Sequence, residues 1–276
     1  MIRAAVIGWP IEHSRSPMIH GYWIKAYGID GSYTKIAVEP DRVTAFLRSL
    51  GEQGLAGCNV TLPHKEAAFA AADERDASAV AVGAANTLWL EDGKLFAANT
   101  DTYGFMRHLE VSAPDWARRD RPVMILGAGG AARGIVYGFL EAGVGEVRIA
   151  NRTRARAEEM AHHFGGKVCV VDWDQAQHQS RECGVLVNTT SLGMAKTGPL
   201  DFDVGGLPGD AVVADIVYVP LETPLLAAAR ARGLVGVDGL GMLLHQAVPG
   251  FERWFGFKPE VTEALRAIVV KDIEGH

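Results

Sequence analysis

Short runs of β-branched and other apolar residues alternate along the chain with longer amphipathic stretches. The candidate strands are Ala4 to Ile7, Tyr33 to Val38, Gly57 to Val60, Val123 to Leu126, Val147 to Ala150, Lys167 to Val171, Val185 to Asn188 and Ala211 to Ala214. The candidate helices between them are Val43 to Leu50, Arg133 to Ala142, Arg154 to Phe164 and Pro224 to Arg232. This alternation is typical of βαβ units and predicts mostly parallel sheets.

Two further features indicate how the chain is organised. The stretch from Ser112 to Pro122 is rich in charge and contains two prolines, which predicts a linker between domains. After Gly239, two helical patterns cover Met242 to Phe255 and Pro259 to Ile273. A chain of 276 residues is long enough for two domains, each with its own core.

Composition narrows the classes of partner. The net charge of -6 argues against non-specific binding to nucleic acid. The chain contains no run of 18 apolar residues, so no membrane span is expected. The segment before Gly8 is short and predicts a buried first strand rather than a signal peptide. Three widely spaced cysteines form neither a disulfide framework nor a CxxC pattern, so a cytoplasmic setting is expected. His13 and His20 lack a third ligand at metal spacing, so no metal site is expected.

The clearest local motif follows the apolar strand Val123 to Leu126. Its sequence is Gly127-Ala128-Gly129-Gly130-Ala131-Ala132, a G-x-G-x-x-A pattern that runs into a helical stretch. The first glycine permits the tight turn, the second lets a pyrophosphate approach the backbone, and the helix N-terminus attracts the phosphate charge. The flanking strand and helix therefore favour a dinucleotide site over a plain glycine-rich turn.

The end of the next strand bears on the choice between NAD and NADP. NAD sites usually carry an acidic residue there, whereas this chain has Asn151-Arg152-Thr153-Arg154-Ala155-Arg156. A guanidinium can bind a 2′-phosphate through paired hydrogen bonds. The alternative is a solvated first helical turn, which is disfavoured because positive charge opposes the helix dipole. The sequence thus predicts NADP.

Lys65 and Asp101 are candidate catalytic residues. Thr61 and Lys65 come just after the strand Gly57 to Val60, and ligands in open α/β folds bind at strand ends. A lysine can deliver the proton that a ketone needs during hydride transfer. Asp101 could orient Lys65, or it could simply cap the helix that follows.

Other polar residues suggest a small acid as substrate. Ser14 and Ser16 offer two hydroxyls that suit a carboxylate, although they could instead cap a helix that starts at Pro17. Asn86 could bond ring hydroxyls, or it could be a turn residue.

These segments resemble the motifs of the shikimate dehydrogenase family along nearly the whole chain. The matching motifs are PIEHSRSP from Pro10, NVTLPHK from Asn59, GAANTL from Gly83, NTDTYG from Asn99, the loop at Gly127 with Asn151-Arg152-Thr153, NTTSLGM from Asn188, DIVYVP from Asp215 and GLGMLLHQ from Gly239. Trp9 and Gly21 depart from the asparagines common at those positions. The retained serine pair favours shikimate over quinate.

The resemblance implies reversible reduction of 3-dehydroshikimate to shikimate with NADPH. It implies Lys65 and Asp101 as the catalytic pair and two sets of binding residues. The substrate set is Ser14, Ser16, Thr61, Asn86, Tyr218 and Gln246. The cofactor set is Gly127, Ala128, Gly129, Gly130, Ala131, Asn151, Arg152, Thr153, Arg156, Thr190, Ile216 and Gly239.

The expected fold is α/β with two domains. A mixed α/β substrate domain is expected at 1–111 plus 239–276, with the C-terminal helices returning to it, and a Rossmann-type NADP-binding domain at 112–238. Two alternatives stay open: a quinate/shikimate dehydrogenase with relaxed cofactor use, and a non-catalytic NADP-binding sensor. Lys65 with Asp101 argues against the sensor, which needs neither residue. The expected protein is a monomer or homodimer.

Overall fold

A computed structural model describes residues 1–118, 120–194 and 197–275. The strands are β1 (Ile2–Gly8), β2 (Gly31–Ala37), β3 (Gly57–Val60), β4 (Glu74–Arg75), β5 (Thr87–Glu91), β6 (Lys94–Ala98), β7 (Val123–Leu126), β8 (Val147–Ala150), β9 (Val168–Val171), β10 (Val185–Asn188), β11 (Val212–Asp215) and β12 (Val235–Val237). The helices are α1 (Ser16–Ala26), α2 (Val43–Arg48), α3 (Lys65–Ala71), α4 (Ala77–Val82), α5 (Thr100–Ser112), α6 (Gly130–Glu141), α7 (Arg154–Phe164), α8 (Ala176–Gln179), α9 (Pro224–Ala231), α10 (Gly239–His245), α11 (Ala247–Phe255) and α12 (Glu263–Glu274).

The chain divides into two compact units. The first comprises Met1–Asp101 with Leu244–His276, and the second comprises Thr102–Leu243. These limits differ from the predicted boundaries at 111/112 and 238/239. Phe105 and Leu109 of α5 are buried in the core of the second unit, as are Ala113 and Trp116 of the predicted linker. Burial of these side chains draws most of α5 into the second unit, which charge and proline content alone do not indicate.

The first unit contains a mixed six-stranded sheet in the order β2-β1-β3-β5-β6-β4. Strand β1 pairs in parallel with β2 and β3, whereas β5 runs antiparallel to both β3 and β6. The antiparallel register places Asn59 of β3 directly opposite Thr87 of β5. Two polar residues are therefore fixed side by side in the middle of a buried sheet.

The β5–β6 hairpin was not among the predicted strands. Its two strands are joined by Asp92 and Gly93, which have φ angles of 51° and 78°. An Asp-Gly pair with two positive φ angles is a typical tight hairpin turn, because its twist matches that of the strands. The dipeptide was the signal in the sequence from which this hairpin could have been predicted.

The second unit contains an all-parallel sheet in the order β12-β11-β10-β7-β8-β9. Alternate residues of β7 belong to two separate cores: Val123 and Ile125 to one, Met124 and Leu126 to the other. Both faces of this strand are covered, as expected for a parallel sheet. The strand order is that of the doubly wound nucleotide-binding fold, and the α/β, two-domain prediction is confirmed.

The C-terminal helices belong to the first unit, as predicted. Trp254 Nε1 donates to the carbonyl oxygen of Leu88 at 2.9 Å, and Trp23 Nε1 donates to that of Glu260 at 2.9 Å. The predicted helix Met242 to Phe255 is divided into α10 and α11. Pro249 lies in the first turn of α11, where a missing N–H leaves no helical hydrogen bond unmade.

His20 of α1 is fully buried among aromatic rings. Its ring stacks on Tyr33 at a centroid distance of 3.9 Å, with Trp23, Phe251 and Trp254 around it. Within the described part of the chain, neither ring nitrogen has a hydrogen-bond partner. Burial lowers the pKa of His20 from 6.5 to about 3, so the folded protein holds this ring neutral.

We predict that His20→Phe weakens the acid sensitivity of folding. The unfolded chain binds a proton at His20 near pH 6.5, whereas the folded chain does so only near pH 3. Stability is therefore lost as pH falls through this window. Near pH 5 the wild type has lost about 2 kcal/mol of its free energy of unfolding through His20, at about 1.4 kcal/mol per pH unit. The His20→Phe variant should not show this loss. Urea unfolding at about pH 7.5 and pH 5 measures the free energy of unfolding of the variant and of the wild type at both pH values.

The control for this prediction is His162→Phe, at an exposed histidine of α7. It is expected to leave the wild-type pH dependence of the free energy of unfolding unchanged. Parallel pH dependences for His20→Phe and the wild type would contradict the prediction.

Candidate active site

Lys65 and Asp101 form a close ion pair in the first unit. Lys65 is the first residue of α3 and follows the loop after β3, while Asp101 lies in the first turn of α5. Lys65 Nζ lies 2.5 Å from Asp101 Oδ2, and the two side chains are 28% and 20% exposed. The ammonium group is thus held in place by its partner, and the Lys65 side chain is partly exposed.

The carboxylate of Asp101 is not used to cap its own helix. The backbone N–H of Asp101 donates instead to Asn99 Oδ1 at 3.2 Å. The second carboxylate oxygen, Oδ1, accepts from Asn86 Nδ2 at 2.9 Å. Both oxygens of Asp101 therefore have side-chain donors, which fixes the plane of the carboxylate towards Lys65.

Asn86 is a buried residue in the bend immediately before β5 rather than a surface turn residue. Its Oδ1 accepts from the backbone N–H of Thr100 at 2.8 Å. Its Nδ2 also lies 3.5 Å from Gln246 Oε1, which comes from the last part of the chain. Three segments far apart in sequence thus converge on one amide.

The serine loop is anchored to the C-terminal helix. Arg15 Nε lies 2.8 Å from Asp272 Oδ2 of α12, and Ser16 begins α1. The N-cap residue Arg15 makes no side-chain capping bond, but the N–H of Ser16 donates to Ser14 Oγ at 3.4 Å. Thr61 lies just after β3, and its backbone N–H donates to the carbonyl oxygen of Ile7 at 2.9 Å. Ser14 and Ser16 thus lie between β1 and α1 and at the start of α1, and Thr61 lies just after β3, the strand that pairs with β1.

In the second unit, Gly127 makes the turn from β7 towards α6. Its φ of +107° suits only glycine, and a Cβ there would lie 2.5 Å from Thr189 Oγ1. Ala128 follows, and Gly129 is the N-cap of α6 with no side chain capping it. A Cβ added at Gly129 or Gly130 would meet nothing within 4 Å. With Ala131 in its first turn, α6 presents the open N-terminus that a pyrophosphate requires.

The arginines after β8 differ in their partners. Arg154 is paired with Glu158 and Asp172, so its charge is already engaged. Arg152 and Arg156 are exposed and have no ion pair within the described residues. Beside them, Asn151 Nδ2 donates to the carbonyl oxygen of Thr153 at 2.8 Å and shapes the turn into α7. Two guanidinium groups are thus available for an anion.

The loops after β10 and β11 bring further candidates together. Thr190 donates through Oγ1 to Asn188 Oδ1 at 2.7 Å. A Cβ added to Gly239 would lie 2.2 Å from the carbonyl oxygen of Ile216, so only glycine permits this approach. Tyr218 comes two residues after Ile216 and is half-buried. The residues implied for the nicotinamide, Ile216 and Gly239, are therefore neighbours.

Asp215, the last residue of β11, is hydrogen-bonded to the last residue of β10 and to the segment that follows β11. Burial raises the pKa of its carboxyl to about 6, and donors from Val217, Thr223 and Asn188 oppose the rise. Asn188 Nδ2 donates to Oδ1 at 3.0 Å and Thr223 Oγ1 donates to Oδ2 at 2.8 Å. One buried carboxyl thus ties the end of β10 to the start of α9.

Sequence reasoning did not single out the supporting residues. Asn59, Thr87 and Thr100 surround Asn86, and Asn188 with Thr223 surrounds Asp215. The available signal was the presence of amides and hydroxyls within otherwise apolar strands, since buried polar groups need partners.

Family models match three segments of the chain. The shikimate dehydrogenase substrate binding domain matches residues 6–88, shikimate / quinate 5-dehydrogenase matches 113–195, and the shikimate 5'-dehydrogenase C-terminal domain matches 239–269. The chain belongs to the shikimate dehydrogenase family.

Similar proteins bear the same family name. Shikimate dehydrogenase (NADP(+)) of Azorhizobium caulinodans is 57% identical over 99% of this chain and 97% of its own length. The protein of that name from Brucella canis is 54% identical over 98% of this chain and 94% of its own length.

Solved structures of this fold include two with different ligands. The Thermus thermophilus shikimate 5-dehydrogenase in complex with NADP(H) and shikimate has a TM-score of 0.86 at 33% identity, covering 99% of this chain and 100% of that one. The Corynebacterium glutamicum quinate dehydrogenase in complex with NAD has a TM-score of 0.89 at 30% identity, covering 97% and 98%.

The described residues lack two other features. None of their helices combines the length and apolar character that crossing a membrane requires. The same residues contain no group of three or more His, Cys, Asp or Glu side chains arranged to hold a metal ion.

Proposed function

We propose that this protein catalyses the NADPH-dependent, reversible reduction of 3-dehydroshikimate to shikimate, a step in aromatic amino acid biosynthesis. The observation that carries the proposal is the contact of Lys65 Nζ with Asp101 Oδ2 at 2.5 Å, with Asn86 holding the other oxygen of the carboxylate. A non-catalytic sensor has no use for an oriented, partly exposed ammonium group.

Reduction of a ring ketone adds a hydride to carbon and a proton to oxygen. NADPH, when bound, supplies the hydride. Lys65 donates its proton to the carbonyl oxygen as that oxygen gains negative charge, and its cation stabilises the charge before transfer is complete. Asp101 keeps the ammonium group directed at the substrate, and in the reverse direction Lys65 removes the hydroxyl proton.

The substrate is proposed to bind through six polar side chains. In the first unit Ser14 and Ser16 receive the carboxylate, and Thr61, Asn86 and Gln246 bind ring hydroxyls. Tyr218 is proposed as a further substrate residue. The anchoring of the serine loop by Arg15 and Asp272 supports a preformed carboxylate site.

The residues of the second unit fit a phosphorylated dinucleotide. Gly127, Ala128, Gly129, Gly130 and Ala131 would hold the pyrophosphate, consistent with the uncapped α6 N-terminus. Asn151, Arg152, Thr153 and Arg156 would hold the 2′-phosphate, and Thr190, Ile216 and Gly239 would line the nicotinamide. The domains at 1–111 plus 239–276 and at 112–238 are proposed to bind substrate and NADP respectively, in a cytoplasmic monomer or homodimer.

The second candidate is a quinate/shikimate dehydrogenase with relaxed cofactor use. The likeness to the quinate dehydrogenase in complex with NAD favours it. The arginines oppose it, because Arg152 and Arg156 stand where NAD sites have an acidic residue.

The first test follows nicotinamide absorbance with shikimate or quinate and with NADP or NAD. We expect fast turnover only for shikimate with NADP. Comparable turnover with quinate or NAD would favour the second candidate. Absence of turnover in every pair, with NADPH still binding, would favour the sensor.

Lys65→Ala is expected to lower kcat by about 10²- to 10⁴-fold, the usual loss when a general acid–base group is removed. NADPH affinity, measured by fluorescence titration, should stay at the wild-type value. The control is Lys94→Ala, because Lys94 is exposed and paired only with Glu74 among the described residues. Wild-type activity in Lys65→Ala would remove this residue from the mechanism.

Arg152→Ala is expected to weaken NADPH binding by about 10-fold or more, because a charge-assisted contact to the 2′-phosphate is lost. NADH binding and kcat at saturating NADPH should change little. The matched control is Arg154→Ala, whose guanidinium is already engaged by Glu158 and Asp172. If Arg154→Ala were the more damaging variant, the phosphate site would have to be reassigned.

A further inference from the structure

The hydroxyl of Thr87 is the centre of a buried hydrogen-bond network behind the Lys65–Asp101 pair. It accepts from Asn59 Nδ2 at 3.0 Å and lies 3.1 Å from Asn86 Oδ1 and 3.0 Å from Thr100 Oγ1. Thr87 is 1% exposed, and the other three residues are buried as well. These contacts are therefore shielded from solvent in the folded protein.

The outer end of this network fixes the direction of its hydrogen bonds. The Asn59 amide atom that faces the carbonyl oxygen of Asn86 must be the nitrogen, because a carbonyl oxygen only accepts. The Tyr33 hydroxyl then donates to Asn59 Oδ1 at 2.6 Å. The Asn59 amide nitrogen then donates to the carbonyl oxygen of Asn86 at 3.1 Å and to Thr87. Since Thr87 accepts from Asn59, its single proton is available to donate to Asn86 Oδ1.

The inner end fixes the orientation of the Asn86 amide. Asn86 Oδ1 receives the Thr100 N–H at 2.8 Å, together with the hydroxyls of Thr87 and Thr100 at 3.1 Å each. A reversed amide would set NH₂ against that N–H, donor against donor. The oxygen therefore faces the threonines and the nitrogen faces Asp101.

We infer that Thr87 is a positioning residue for the reaction, acting through Asn86 on Asp101 and so on Lys65. Asn86 Nδ2 donates to Asp101 Oδ1 at 2.9 Å, and Lys65 Nζ donates to the other oxygen, Oδ2, at 2.5 Å. The Thr87 hydroxyl favours the one amide orientation in which this division holds. Thr87 itself touches neither Lys65 nor Asp101 through any of these bonds. The inference rests on the proposed function.

The test compares Thr87→Val, which removes the hydroxyl at nearly constant volume, with Thr87→Ser, which keeps it. Thr87→Val should lower kcat for shikimate oxidation by about 10- to 100-fold, because a displacement near 1 Å at a reacting centre can cost on the order of 100-fold. The KM for NADP should stay unchanged, since no cofactor residue is affected. Thr87→Ser should recover most of the activity.

A double-mutant cycle separates this role from general destabilisation. If Thr87 acts through Asn86, the loss caused by Thr87→Val should largely vanish in an Asn86→Ala background. An equal loss in both backgrounds, or wild-type kcat in Thr87→Val, would overturn the inference. If Thr87→Val does not fold, Thr100→Val removes the other hydroxyl that donates to Asn86 Oδ1 and should likewise lower kcat.

A measurement without turnover distinguishes failure of this inference from failure of the proposed function. The Asn86 side-chain amide protons, assigned by their absence in Asn86→Ala, should exchange with solvent slowly in the wild type and faster in Thr87→Val. Equal exchange in both would overturn the inference, whatever the enzyme reduces. Protected protons in a wild-type protein inactive on shikimate would refute the proposed function and leave the positioning of Asp101 intact.

Discussion

The side-chain oxygen of Asn86 accepts hydrogen bonds from the backbone N–H and hydroxyl of Thr100 and from the hydroxyl of Thr87. All three residues are buried, and a buried polar group without a partner destabilises the fold. The requirement that each group find a partner therefore determines the amide orientation. The Asn86 amide nitrogen donates to Asp101 Oδ1, and the other carboxylate oxygen contacts Lys65.

The same constraint operates in the second unit with a carboxyl at its centre. Asp215 is buried at the end of β11, and burial raises the pKa of its carboxyl to about 6. The N–H of Val217 and the side chains of Asn188 and Thr223 satisfy it. Because these donors belong to different segments, satisfying one carboxyl aligns two loops that carry candidate cofactor residues.

The C-terminal helices complete the first unit by covering apolar surface and by contributing polar contacts. Trp254 packs on the sheet and donates to the carbonyl oxygen of Leu88. Asp272 fixes the arginine between the two candidate serines. Gln246, the residue between α10 and α11, lies against the Asn86 side chain. The last segment of the chain is therefore needed for the site formed by the first.

The sequence by itself determined the α/β class, most strands of the parallel sheet and the dinucleotide loop, because these depend on local patterns. Alternating apolar runs specify buried strands, and Gly127 is required by its own backbone conformation. The motifs also sufficed to recognise the family and to select Lys65 and Asp101 as candidates. Each of these conclusions needs only residues that are close in sequence.

Only the tertiary structure decided how those candidates act on one another. Residues 36 apart in sequence meet as Lys65 and Asp101, and residues 160 apart meet as Asn86 and Gln246. The use of Asn99 rather than the Asp101 carboxylate at the start of α5 likewise depends on what surrounds that carboxylate. Hydrogen bonds between distant segments require a fixed distance and direction in space, and these follow from strand register and packing rather than from any spacing along the chain.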